Sequence, residues 1–206
     1  MPVEQLEVLV EEPSMAAAME VLVPKILGSS TGFSVHPSQC KSRLLANLPA
    51  LLTAYRHWLP ASWRLIVIVD CDDAPCMELK DRLEETARDA GLASRTAAPA
   101  GSWQVANRNA VDELAAWFFG DMDAVRAAYP RVSSTIERQG RYRDPDAIKG
   151  GTWEALERVL QRAGYFRTGL RKIEAARAIA PHMNPTRNRS HSFQVFRDAL
   201  LEIAQP

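Results

Sequence analysis

The sequence predicts an α/β protein: a mostly parallel four-stranded sheet flanked by helices, with an all-helical C-terminal extension. Three observations predict it. Leu65-Ile66-Val67-Ile68-Val69 is an unbroken, mostly β-branched apolar run. It is too short for an ordinary helix and is of the kind found in strands buried on both faces. Through residue 106, strand-like runs alternate with stretches of helical spacing, as in a parallel layer joined by crossover helices. From Asn107 onward the texture is helical alone. Residues 1–106 therefore read as the α/β core and 107–206 as a helical extension packed on it.

Leu6 to Val10 reads as the first strand. Pro13 and Ser14 suit a helix start, and Met15, Ala18, Met19, Leu22, Val23, Ile26 and Leu27 carry the helix onward, with Pro24 expected to loosen its last turn. Gly28 to Gly32 is a connector and Phe33 to His36 a short second strand. Lys41 to Leu59 has helical apolar spacing at Leu44, Leu48, Leu51, Leu52 and Tyr55, interrupted by Pro49. The central strand follows. After it, Met77 to Ala90 is amphipathic, with Leu79, Leu83 and Ala87 inward and Gly91 placed to end the helix. Trp103 to Ala106 reads as a late strand.

In the second half, Val111, Leu114, Ala115 and Phe118 form one helical face that Gly120 ends, and Asp121 reads as the cap of a shorter helix. Arg131 to Asp146 is polar and reads as a loop or mobile arm. Three further helices are expected, through Trp153 to Ala163, Leu170 to Ile179, and Phe193 to Ile203.

At 206 residues, 47% hydrophobic and 24% charged, the chain is an ordinary soluble globular one, with no run approaching the ~20 apolar residues of a membrane span. The beginning has no basic region of a secretory signal, and Cys40, Cys71 and Cys76 form no Cys-x-x-Cys pair. The expectation is a cytoplasmic protein with reduced thiols. Net charge is zero but unevenly spread: residues 1–125 hold 10 Lys/Arg against 17 Asp/Glu, and 126–206 hold 15 against 8. Two solvated faces that attract each other account for this split, as does an acidic metal-holding half beside a basic, phosphate-receiving half.

The chemistry concentrates at strand ends. The central strand delivers Asp70, Asp72 and Asp73 within four residues, and the first strand delivers Glu11 and Glu12. Open α/β sheets bind ligands outside the carboxyl ends of their strands. Crowded carboxylates there repel one another unless a cation such as Mg²⁺ lies among them. With the two strands adjacent, Glu11, Asp70 and Asp72 share one rim, a layout suited to metal-assisted phosphoryl transfer with a carboxylate as general base. Lys149 beside Gly150-Gly151, and Arg187, Arg189 and Ser190 before the last helix, are candidate phosphate contacts. A loop lysine and a helix cap are the plain alternatives. The four histidines show no metal spacing.

Val10-Glu11-Glu12-Pro13-Ser14 followed by Ile68-Val69-Asp70-Cys71-Asp72 resembles the Toprim signature of topoisomerases, bacterial primases and nucleases, an acid after the first strand and Asp-x-Asp after the third. A longer similarity, over essentially the whole chain, is to an uncharacterised bacterial Toprim-like family often encoded beside defence-island ATPases. It is carried by Leu9 to Met15, by Asn107-Arg108-x-x-x-x-Glu113 through Trp117 to Gly120-Asp121, by Ile148-Lys149-Gly150-Gly151-Thr152-Trp153, and by Asn188-Arg189-Ser190-x-Ser192-Phe193.

The resemblance implies a Toprim-like (Rossmann-like) fold. It also implies Mg²⁺ or Mn²⁺ held by Glu11, Asp70 and Asp72 with Glu113 as an extra acid, and nuclease action on DNA or RNA. An AAA-type ATPase partner in a phage-defence or toxin-like system is implied as well. Toprim proteins often carry Gly after the glutamate; Glu12 here leaves open which glutamate works. Two other readings stand beside this one. One is a non-catalytic Toprim-like partner or sensor. The other is a haloacid-dehalogenase-like phosphatase with Asp70 as nucleophile, weakened because its motif normally follows the first strand.

Overall fold

The computed structural model describes residues 2–71, 76–99, 102–111 and 113–204, with the backbone alone for 109–111 and 113. Four strands, β1 (Gln5–Val10), β2 (Gly32–Pro37), β3 (Trp63–Cys71) and β4 (Val105–Val111), form one sheet in the order β2-β1-β3-β4. Every pairing is parallel, with Val10 opposite Ile68 and Asp70 opposite Ala110. Parallel neighbours need crossovers, and helices α1 (Pro13–Leu27), α2 (Lys41–Trp58) and α3 (Cys76–Asp89) supply them.

Strand alternation sorts the core into two layers. Leu65, Val67 and Val69 of β3, with Leu9 of β1, pack under α2 and α3 against Leu44, Leu48, Leu52, Leu79 and Leu83. Val8, Val10, Ile66 and Ile68 face the other way, onto α1 and the helices of the second half. With both faces covered, the β3 run has no polar side to present, hence its continuous apolar character. Each fully buried aliphatic side chain there contributes about 1.5–3 kcal/mol relative to exposure.

The second half adds α4 (Glu113–Gly120), α5 (Met122–Ala128), α6 (Thr152–Arg162), α7 (Lys172–Ile179) and α8 (His191–Ala204). All of them join the core layer of α1. Two expectations change here. The fourth strand runs to Val111, across the boundary expected at residue 106, because Asn107 to Val111 pair in register with Val67 to Cys71. Residues 131–146 form three short 3-10 turns instead of a mobile arm, anchored by buried Ile136, Tyr142 and Pro145; Tyr142 stacks on Phe119 with ring centroids 5.1 Å apart.

The edge strand is guarded by cations. The Asn107 carbonyl on β4 accepts from Lys80 Nζ at 2.8 Å and from Arg108 Nη1 at 2.8 Å, which occupies an acceptor that another strand would seek. Burial, with help from the nearby Arg95 charge, pushes the Arg108 guanidinium down to about 10. At the chain's far end Glu202 on α8 takes Arg95 Nε at 2.9 Å and Trp103 Nε1 at 3.1 Å, tying the last helix to the start of β4. Among the described residues no helix is long and apolar enough to cross a membrane.

Candidate functional site

The order β2-β1-β3-β4 makes the chain leave β1 in one direction and β3 in the other. The crevice between their carboxyl ends is thus the topological switch point, where open α/β sheets bind ligands. Glu11 stands at the end of β1 and Asp70 near the end of β3. The Asp70 backbone N–H donates to Glu11 Oε2 at 3.1 Å, and Lys41 Nζ, at the start of α2, donates to the Asp70 carbonyl at 2.6 Å. The physical cause is plain: β1 stops at Val10, so the next rung of β3 lacks a strand partner on its β1 side. A carboxylate and an ammonium serve in its place.

The structure therefore brings Glu11 onto the main chain of Asp70. Asp70 is 3% exposed, and alternation along β3 puts its carboxyl on the side of Ile66 and Ile68. Glu11 continues the Leu9 side and borders an open cleft of about 600 Å³ with Cys40, Lys41, Ser42 and Arg82. Glu12 is turned to the other face, where the Ser14 hydroxyl donates to its carboxylate and Lys172 Nζ lies 3.8 Å away. A second cavity of about 320 Å³ opens there between Glu12 and Arg171-Lys172. Lys172 also sits over the Trp153 ring, 5.1 Å from its centroid.

Asp72 and Asp73 lie outside the described residues, and Glu113 opens α4 with its side chain outside them. Among the described residues no group of three or more metal-ligating side chains is assembled. Cys71 and Cys76 bracket the Asp72–Pro75 stretch and are joined as a disulfide, Cα atoms 5.5 Å apart. This corrects the expectation of three reduced thiols: the end of β3 and the start of α3 face each other across a five-residue step, within bridging reach. Cys40 is the free, exposed cysteine. A hydrogen bond with the Ser42 hydroxyl, then the Arg43 backbone amide, holds its thiol below the ordinary value.

The remaining candidates gather elsewhere. Ser190 is fully buried and its hydroxyl donates to Asp146 Oδ1 at 2.7 Å, while Asp146 also accepts from Ser192 Oγ at 2.9 Å. The amino end of α8, expected to receive a phosphate, thus already faces a carboxylate. Arg187 reaches Asp121 with Nη2 2.8 Å from Oδ1, and the Arg189 amide donates to the Gly120 carbonyl at 2.9 Å. Asp121 caps α5 through the Ala124 N–H at 3.3 Å. Asn188 completes the knot, donating to the Trp117 carbonyl at 2.8 Å and accepting from the Ser190 N–H at 2.9 Å. Lys149 borders a separate cavity of about 440 Å³ with Arg141, Tyr142 and Arg158. Lys41 and Arg82 carry no signal in the sequence that sets them apart from other helical cations; only the fold places them beside Glu11.

Fold and site together define a parallel α/β protein with an acidic rim at its switch point. A model of the family described as a domain of unknown function (DUF4276) matches residues 10–201, and the chain belongs to that family. No curated protein and no solved structure matches it.

Proposed function

We propose that the protein is a Toprim-type, divalent-metal-dependent phosphodiesterase acting on nucleic acid, DNA or RNA. The observation that supports this reading best is the seating of the Glu11 carboxylate on the Asp70 main chain at the switch point between β1 and β3. A carboxylate carried by one segment meets the main chain of another at the crevice where open sheets of this class bind their ligands.

The donor set fits a hard cation. Glu11, Asp70 and Asp72 offer oxygen alone, which suits Mg²⁺ or Mn²⁺, and burying a carboxylate such as Asp70 favours a cation beside it. When bound, the ion neutralises phosphate charge and acidifies a water. Asp70 and Asp72 would hold it, the latter by its sequence position. Glu11, fixed by one oxygen on the Asp70 amide, takes up a proton as general base. Lys41 fixes the Asp70 peptide from its carbonyl side and keeps a positive charge at the cleft. Glu113 is a further acid brought by sequence resemblance, at the start of α4. The same resemblance extends the proposal to a bacterial defence or toxin-like system with an AAA-type ATPase partner.

The test is Mg²⁺- or Mn²⁺-dependent nicking of plasmid DNA and cleavage of RNA oligonucleotides by the purified chain. Activity is expected to vanish in Asp70→Ala, and cleavage that persists in that variant overturns the proposal. One observation favours a second reading, a non-catalytic partner or sensor: the Glu11 hydrogen bond also completes the sheet ladder, a structural task needing no metal. Stable copurification with an ATPase, without cleavage of any DNA or RNA, would select it.

A further inference from the structure

Lys149, one of the phosphate candidates of the sequence, has no part in the metal crevice and borders a site of its own. Its cavity of about 440 Å³ is built where the second and third 3-10 turns meet α6. Arg141 comes from the second turn, Asp144 caps the third, Lys149 follows it, and Arg158 projects from α6. Among the described residues three cations line this cavity against one acid.

The cations are uncommitted. Lys149 and Arg158 are exposed and make no ion pair or side-chain hydrogen bond among the described residues. Glu154, one turn before Arg158 and its natural helical partner, lays its carboxylate back over Gly151 at the start of α6 instead. Arg141 has no carboxylate partner among the described residues and sits over the Tyr142 ring, 4.6 Å from its centroid. That contact engages the face of the guanidinium and leaves its N–H edge open to an oxyanion. The ring is held in turn by its stack on Phe119, so Arg141 rests on a fixed surface. Like charges converging on one cavity repel unless an anion lies among them.

The acid narrows the ligand. Asp144 accepts the Asp146 N–H on Oδ1 at 3.0 Å, and its second oxygen has no partner among the described residues. Beside a bare phosphate that oxygen is anion against anion, whereas a hydroxyl-bearing ligand turns it into an acceptor. The volume falls in the range of small-molecule sites, and Ala147 and Ile148 add apolar wall. We propose that this cavity binds a nucleoside polyphosphate. Its phosphates lie on Arg141, Lys149 and Arg158, its ribose hydroxyls donate to Asp144, and its base rests against Ala147 and Ile148. The site stands apart from the phosphodiesterase reading and does not depend on it.

The experiment is isothermal titration calorimetry of the full chain with ADP, GDP, inorganic pyrophosphate and an oligo-dT of about 20 nucleotides. EDTA is present throughout, so that no metal-borne phosphate contributes. ADP or GDP is expected to bind at a single site, about tenfold or more tighter than pyrophosphate. Lys149→Glu and Arg158→Glu are each expected to weaken nucleotide binding about tenfold or more. Asp144→Asn keeps an acceptor for the Asp146 N–H but loses the free carboxylate oxygen. It is expected to weaken nucleotide binding about fivefold and to strengthen pyrophosphate binding. Arg162→Glu, one turn further along α6 and outside the cavity, is expected to change affinity by no more than about twofold.

No binding of either nucleotide, indifference to both reversals, or pyrophosphate bound as tightly as ADP and GDP overturns the proposal. Arg162→Glu weakening binding as much as Arg158→Glu does the same, and so does oligo-dT binding that obeys the reversals while neither nucleotide binds. The two proposals fail separately. Mg²⁺-dependent cutting by a chain that binds no nucleotide removes this site alone, and nucleotide binding that obeys the reversals without any cutting removes the nuclease reading alone.

Discussion

Replacing Glu11 in two ways separates its ladder task from its chemistry. In Glu11→Gln the side-chain carbonyl still accepts the Asp70 N–H, now at 3.1 Å in the parent, while the negative charge is lost. In Glu11→Ala the acceptor itself is lost, with β1 already ended on that side of β3. A hydrogen bond to a charged acceptor contributes about 1.5–3 kcal/mol, and a neutral one about 1. Alanine is therefore expected to cost about 2 kcal/mol and glutamine about 1. With a urea slope of about 2 kcal/mol/M, the unfolding midpoint falls by about 1 M and about 0.5 M respectively. Cleavage follows a different order: both variants are expected to lose about 10²–10⁴-fold, since neither side chain accepts a proton at neutral pH. Urea unfolding followed by circular dichroism and a nicking assay read the two effects on the same preparations. Equal destabilisation by glutamine and alanine would refute the ladder role. Full cleavage by Glu11→Gln would refute the role as base.

Three other outcomes follow from the geometry. Asn188→Ala strands the buried Trp117 carbonyl and Ser190 N–H, at about 1–3 kcal/mol each, and is expected to lower stability by about 2–6 kcal/mol in urea unfolding. Glu202 is held below the usual carboxylate range chiefly by Arg95, so its stabilising effect is present above about pH 4.5 and is lost as pH falls through its lowered folded value. Glu202→Gln is thus expected to be less stable at pH 7, by about 1 kcal/mol, and to converge with the parent in acid; a gap that stays constant with pH contradicts this. The Cys40 thiol is lowered chiefly by Ser42, so its alkylation rate is expected to reach half-maximum at lower pH than in Ser42→Ala, read by mass spectrometry with iodoacetamide.

The strands were legible wherever burial on both faces left no polar alternation, as at Leu65 to Val69, and wherever a helix start followed at once, as at Pro13-Ser14. The last strand was half legible. Asn107, Arg108 and Asn109 carry polar side chains at an edge, so nothing apolar marks the continuation of β4 to Val111. Residues 131–146 misled for a related reason: their order comes from Tyr142 and Ile136 seated in a core built by other segments. At the site, Glu11 and Asp70 were readable because strand ends are informative positions. Lys41, Arg82 and Lys172 were not, since a cation becomes meaningful only when the fold sets it beside an acid. The amino end of α8 shows the converse: of the phosphate candidates read there, the Ser190 hydroxyl donates to Asp146 and Arg187 pairs with Asp121, partners that sequence spacing does not reveal.

The two tasks assigned to Glu11 reinforce each other. A carboxylate offers about four acceptor sites, and the Asp70 amide uses one of them on Oε2. That bond holds the group against the end of β3. Lys41, bound to the carbonyl of the same residue at 2.6 Å, locks the peptide from its carbonyl end beside the cleft. Shortening this contact's reach tests the coupling. Lys41→Met keeps the aliphatic stem but removes the bond to Asp70 and the charge. If Asp70 is positioned through its peptide, metal affinity, read by calorimetric Mn²⁺ titration, falls about tenfold or more. If the lysine serves phosphate alone, Mn²⁺ affinity is unchanged or rises as a nearby positive charge disappears, and the clamp on Asp70 has no part in holding the ion.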